Sequence, residues 1–212
     1  MKRFLVLFIA LIIMVVGCTP SQKAMDMKRV EEAKREKEIK EVDLSKEKLA
    51  LFIWQSADGK SEDTMIIRFY PEKAPNHVKN FINLAEKKFY DGLVIFRVEP
   101  GFVIQTGSPD NTNMGGPGYN IDAEFSDIKH LRGTVAMARS HDPNSAGSQF
   151  YICIGASSHL DGKYTVFGQV IEKIDVIDRI KKGDYMREVK IVDAEEYYGA
   201  DYKNIIKEKD IH

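Results

Sequence analysis

Phe96-Arg97-Val98-Glu99-Pro100-Gly101-Phe102-Val103-Ile104-Gln105-Thr106-Gly107 brings a fixed cation, an amide and apolar side chains into one short stretch. The residues on both sides of Pro100-Gly101 favour extended structure, so the stretch predicts strand, kink, strand. Side chains alternate between the faces of a strand, which puts Val103 and Gln105 on one face, and the kink lets Arg97 come beside them. No Ser/His/Asp set and no metal-ligand spacing accompanies these residues. The expectation is therefore a site without metal or cofactor. An arginine stays charged at any ordinary pH, so it serves as a fixed donor to a carbonyl or amide rather than as a proton shuttle. Read alone, the stretch also suits a surface arginine beside a buried glutamine that satisfies backbone groups.

Three further blocks change that balance. They are Gly133-Thr134-Val135-Ala136-Met137-Ala138-Arg139, then Asn144-Ser145-Ala146-Gly147-Ser148-Gln149-Phe150-Tyr151-Ile152, then Leu160-Asp161-Gly162-Lys163-Tyr164-Thr165-Val166-Phe167-Gly168. Together with the first stretch they resemble the cyclophilin family of peptidyl-prolyl cis/trans isomerases, in the family's order and approximate spacing, over residues 47–195. The resemblance implies a closed eight-stranded antiparallel barrel with a helix capping each end. It also implies proline-containing polypeptides as clients, with Arg97 and Gln105 as the catalytic pair. Phe102, Val103, Tyr151 and Leu160 would line a pocket for the proline ring, with Tyr164 at its wall. The backbone of Arg139 would pair with the substrate chain, and Ser140, Gln149 and His159 would complete the groove. Several positions depart from the commonest family pattern: Val103 replaces Met, Tyr151 Phe, Tyr164 His, Arg139 Asn and His159 Trp. A proline-peptide binding module with little catalysis is the competing reading, and the intact Arg97 argues against it.

The amino terminus reads as an address. Met1-Lys2-Arg3 precedes an apolar run over residues 4–16, too short for the roughly 20 residues that cross a bilayer but suited to a secretory signal. Val15-Val16-Gly17-Cys18 looks like a bacterial lipobox, which makes residues 1–17 a signal peptide and Cys18 a lipidation site. The expected location is the cell envelope, anchored by lipid to a bacterial membrane on its extracytoplasmic side. Residues 18–46 follow as the lipidated terminus and a charged tether, dense in both signs of charge and without a sustained heptad. The formal charge is −1, and loss of Lys2 and Arg3 takes it to −3, so no basic field for nucleic acid is present. Cys18 and Cys153 are the two cysteines, so acylation of the first leaves no internal disulfide.

Residues 47–195 make one domain of ordinary size, expected to be a monomer. Strands are predicted at 49–55 and 64–70, joined through Asp58-Gly59, and again at 135–137, 150–154, 164–170 and 188–193. An amphipathic helix is predicted over 75–88 and a second over 174–182. His77 reads as a surface or capping residue. Residues 111–118 read as a loop, with no lysine or helix signal to make their glycines a phosphate cradle. Without βαβ alternation the fold class is mainly β. Residues 196–212 read as a polar tail.

Overall fold

The computed structural model describes residues 42–44 and 46–210. Cys18, the expected signal peptide and nearly all of the expected tether lie outside the described residues. Strand β1 (Lys48–Gln55) turns through Asp58 and Gly59 into β2 (Glu62–Phe69). The Asp58 carboxylate accepts the Ser56 hydroxyl at 2.7 Å and the Lys60 N–H at 3.1 Å, which closes the turn. Alternation sends Ala50, Phe52 and Trp54 inward. The remaining strands are β3 (Leu93–Val94), β4 (Arg97–Glu99), β5 (Val103–Thr106), β6 (Thr134–Met137), β7 (Phe150–Cys153), β8 (Val166–Glu172) and β9 (Tyr185–Asp193).

All nine described strands form one antiparallel sheet in the order β3-β9-β1-β2-β8-β6-β7-β5-β4. The sheet is curled, and it differs from the expected closed eight-stranded barrel in having nine strands and two unpaired ends. Those ends, β3 and β4, are separated in sequence by Ile95 and Phe96 alone, so the chain itself steps from one edge to the other. Across that gap Thr106 of β5 donates its hydroxyl to Val94 O at 3.0 Å, while Ile95 N–H to Asp184 O at 2.7 Å continues the pairing of β3 with β9.

Helix α1 (Pro75–Glu86) covers one mouth of the curled sheet, opening with proline at its first turn. Its Phe81 is the hub of the core, with ring centroids 4.8 Å from Tyr90, 5.2 Å from Phe150, 5.3 Å from Phe167 and 5.6 Å from Phe69. Burial of each such ring contributes about 1.5–3 kcal/mol. The helix start has no cap from its own sequence. Glu124, in a distant loop, accepts Asn76 N–H at 3.1 Å, His77 N–H at 3.0 Å and His77 Nδ1 at 2.7 Å. This overturns the surface reading of His77, which is fully buried.

The second expected helix is a 3₁₀ turn, Ile174–Asp178, with Val176, Ile177 and Ile180 buried. It stops because the buried Asp184 carboxylate draws the chain away. Asp184 accepts Lys181 N–H at 2.8 Å, Ala57 N–H at 3.0 Å and Trp54 Nε1–H at 2.9 Å. The polar tail is also more than a tail. Residues 194–210 fold as α2 (Ala194–Tyr198) and α3 (Tyr202–Lys209), and Ile206 is buried against Leu49, Ile66 and Ile171. Asp210 pairs with Arg68 and accepts the Tyr70 hydroxyl at 2.8 Å, while Lys209 and the Tyr198 hydroxyl both bind Glu172.

Glu124 carries a pH-dependent share of this stability. Desolvation raises its carboxyl pKa, but hydrogen bonds from the His77 ring and backbone and from Asn76 outweigh it and hold the group below its ordinary 4.5. A depressed carboxyl contributes stability that is present above its unfolded value and lost as pH falls through the folded one. Glu124→Ala is expected to cost about 1–2 kcal/mol at neutral pH. In denaturant titrations the gap between parent and variant should shrink stepwise below pH 4.5, and a gap independent of pH would contradict the assignment.

Candidate active site

The Pro100-Gly101 break is a hairpin turn rather than a kink in one strand. Phe102 N–H returns to Glu99 O at 2.9 Å, and Gly101 takes φ 73°, the left-handed value that the third position of a Pro-Gly turn requires. The hairpin sets Arg97 directly across from Gln105, Val98 from Ile104 and Glu99 from Val103. On the other side of β5, Gln105 faces Tyr151 and Val103 faces Cys153.

This register produces a chain of side-chain hydrogen bonds. Arg97 Nη1 donates to Gln105 Oε1 at 3.1 Å, Gln105 Nε2 to Gln149 Oε1 at 2.9 Å, and Gln149 Nε2 to Gly115 O at 2.7 Å. Both amides are nearly buried, at 8% exposure, so each is costly to leave unpaired. The chain thereby fixes the glutamines' orientation: each carbonyl points toward Arg97 and each NH2 away from it. Arg97 also lies 3.5 Å from a Glu99 carboxylate oxygen and 5.8 Å over the Phe102 ring. At Gly115 a Cβ would come within 2.3 Å of Asp110 Oδ1 and 2.4 Å of Ser108 Oγ, so a larger residue there would displace those two side chains.

Beside the amide chain, Val103, Tyr151 and Leu160 pack with Ala136, Cys153 and Val166 into an apolar cluster, with Phe102 and Tyr164 against it. The Tyr164 ring meets Tyr151 edge-on at 6.0 Å. Burial pushes the Cys153 thiol up to about 12, which leaves it a small apolar filler rather than a nucleophile. His159 is exposed and stacks on Phe102 with ring centroids 5.4 Å apart. The Arg139 guanidinium lies 4.5 Å over Tyr164 and donates to Lys163 O at 2.9 Å and Ser140 O at 2.8 Å. Its side chain thus joins its own loop to the Lys163-Tyr164 segment. Ser140 is tied to Ser145 through both its N–H and its hydroxyl.

Cys18 lies outside the described residues; the other candidates either line one cleft or pack in the apolar cluster beside it, with His159 on the Phe102 ring. A cleft of about 610 Å³ is lined by Arg97, Gln105, Arg139, Ser140, Gln149 and Tyr164. A second cleft, about 660 Å³, lies away from it beside α3 and is walled by the Arg68 and Asp210 ion pair. The first cleft combines a held cation, two amides and an adjoining apolar cluster, and it is the one suited to binding a peptide. Among the described residues, no three His, Cys, Asp or Glu side chains group as a metal site.

Two residues that sequence reasoning missed lie beneath the apolar cluster. His130, 1% exposed, places Nε2 3.0 Å from the Tyr151 hydroxyl and Nδ1 3.0 Å from Asp161 Oδ1. The available signal was Tyr151 itself, since a phenol in an apolar wall requires a polar partner.

Comparison with known proteins identifies the family and agrees with the fold. The family model described as cyclophilin type peptidyl-prolyl cis-trans isomerase/CLD matches residues 56–196. A peptidyl-prolyl cis-trans isomerase of Synechococcus elongatus is 46% identical over 131 residues, covering 61% of this chain and 90% of its own. One from Helicobacter pylori is 39% identical over 157 residues, 72% of this chain and 96% of its own. The crystal structure of a Cryptosporidium parvum cyclophilin type isomerase superposes with a TM-score of 0.61 at 23% identity, covering 69% of this chain and 98% of that one. The same protein solved in the presence of the dipeptide Ala-Pro gives 0.57 at 24%. With the family model spanning most of the folded domain and curated relatives aligned over nearly their whole length, the chain belongs to the cyclophilin-type peptidyl-prolyl cis-trans isomerase family.

Proposed function

We propose that this chain isomerises X-Pro bonds in exported or surface polypeptides, with Arg97 as the residue that stabilises the twisted amide. Rotation about an X-Pro bond breaks amide resonance and meets a barrier of about 18–20 kcal/mol. At the top of that barrier the nitrogen lone pair is localised and the nitrogen pyramidal. A guanidinium beside the prolyl nitrogen and carbonyl interacts more strongly with that state than with the planar amide, which lowers the barrier without acid or base chemistry. The apolar cluster of Phe102, Val103, Tyr151 and Leu160 would hold the proline ring while the preceding carbonyl swings. Gln105 would hold a substrate carbonyl, and the Arg139 backbone would pair with the substrate chain. The observation that carries this reading is the Arg97–Gln105–Gln149 hydrogen-bond chain at the edge of an apolar pocket.

Arg97→Ala should lower kcat/KM on an X-Pro peptide by about 100-fold, with an unchanged circular dichroism spectrum. Near-parental turnover in a folded Arg97→Ala protein would contradict the mechanism.

Lipid anchoring through Cys18 belongs to the same reading and is supported by the lipobox-like Val15-Val16-Gly17-Cys18. It would place a monomeric domain at an extracytoplasmic membrane face, where proline-containing chains emerge unfolded and nucleic acid is no partner. Cys18→Ser should abolish incorporation of labelled fatty acid in cells. Undiminished incorporation would rule the anchor out.

A further inference from the structure

His130 is held by more bonds than a residue filling core space needs. Its backbone N–H donates to Asp161 Oδ1 at 2.8 Å, and its carbonyl accepts Ser157 N–H at 2.7 Å. Its ring reaches Asp161 again through Nδ1 at 3.0 Å and Tyr151 through Nε2 at 3.0 Å. These four bonds lead to two different walls of one pocket. Tyr151 comes from β7, while Ser157 and Asp161 bracket the 3₁₀ turn Ser158–Leu160, which delivers Leu160 to the cluster and His159 to the Phe102 ring. Nothing else described bonds the Tyr151 hydroxyl to that turn.

The proton positions follow from the surroundings. Desolvation raises the Asp161 carboxyl, but bonds from the His130 backbone and ring and the Lys129 charge at 3.6 Å hold it below its ordinary value. Asp161 is then an acceptor only, and Nδ1 carries the proton. Burial pushes the Tyr151 phenol far up, so it stays protonated and donates to Nε2. The ring of His130 therefore has one orientation that satisfies both partners, and turning it over would break both bonds.

Resting on the proline-pocket reading above, we propose that His130 is a positioning residue for catalysis: it clamps the Tyr151 wall to the Leu160 turn and so sets the width of the pocket that receives the proline ring. The substrate class it selects is a five-membered prolyl ring against smaller or larger residues. His130 touches no substrate itself. It acts through the Tyr151 hydroxyl, and that dependence makes the inference testable.

The test measures KM and kcat separately on an Ala-Pro-containing peptide for the full chain, Tyr151→Phe, His130→Leu and the double variant, alongside thermal unfolding. His130→Leu leaves a buried hydroxyl without its partner and frees the turn, so KM should rise about tenfold while kcat stays within about twofold. Removing the hydroxyl as well relieves the orphan, so KM of the double variant should fall back to within about threefold of Tyr151→Phe. A general packing role would lower the melting temperature without moving KM. An unchanged KM in His130→Leu, or a double variant as impaired as the product of the single ones, overturns the proposal. Should His130→Leu fail to fold, His130→Gln takes its place. Its amide reaches one of the two partners, and a KM rise of about threefold is expected; no rise overturns the clamp. A parent protein that binds and turns over the peptide while ignoring both substitutions removes this inference alone. A parent that neither binds nor turns it over removes the reading beneath it as well.

Discussion

The role proposed for Arg97 requires that its guanidinium be held still, and the Gln105 amide holds it together with Glu99 and the Phe102 ring. A free arginine would lose side-chain entropy each time it engaged a substrate, and water would compete for its donors. Here Gln105 is itself held by Gln149, and Gln149 by the Gly115 carbonyl. The last member is the backbone carbonyl of Gly115, in the loop over residues 111–118. A preorganised donor costs no rearrangement at the transition state, which is the condition under which electrostatic stabilisation is worth most.

The fold supplies that stillness from both directions. The β4 and β5 hairpin fixes Arg97 opposite Gln105, and β7 places Tyr151 opposite Gln105 on the other flank, so three strands determine the site. Behind them the Phe81 ring meets Phe150, the neighbour of both Gln149 and Tyr151. The helix that carries Phe81 is pinned at its start by Glu124. The candidate site and the hydrophobic core are therefore sequence neighbours along β7, with alternate residues facing each.

What was legible in the sequence was whatever is local. The β-prone runs on either side of Pro100-Gly101 were legible as extended structure, though the break was read as a kink and is a hairpin turn, and Pro75 with the spacing of Val78, Phe81 and Ile82 announced α1. What escaped depends on contacts between distant residues. Leu93–Val94 is too short to show a period, so the ninth strand was invisible. The helix expected over 174–182 was shortened by Asp184, whose other partners lie near residue 55. His77 looked exposed because Glu124 is 47 residues away, and His130 looked ordinary because Tyr151 is 21 residues away. Ile205 and Ile206, a pair of apolar residues among lysines, gave too thin a stripe to predict that the tail docks.

The central claim is that Gln149 acts on the reaction through the orientation of Arg97. A double-mutant cycle on kcat/KM isolates that coupling from everything else the two side chains do. Gln149→Ala should lower kcat/KM about tenfold when Arg97 is present and less than about twofold in the Arg97→Ala background. Equal losses in the two backgrounds would mean that the amides and the guanidinium work independently, and would contradict the account.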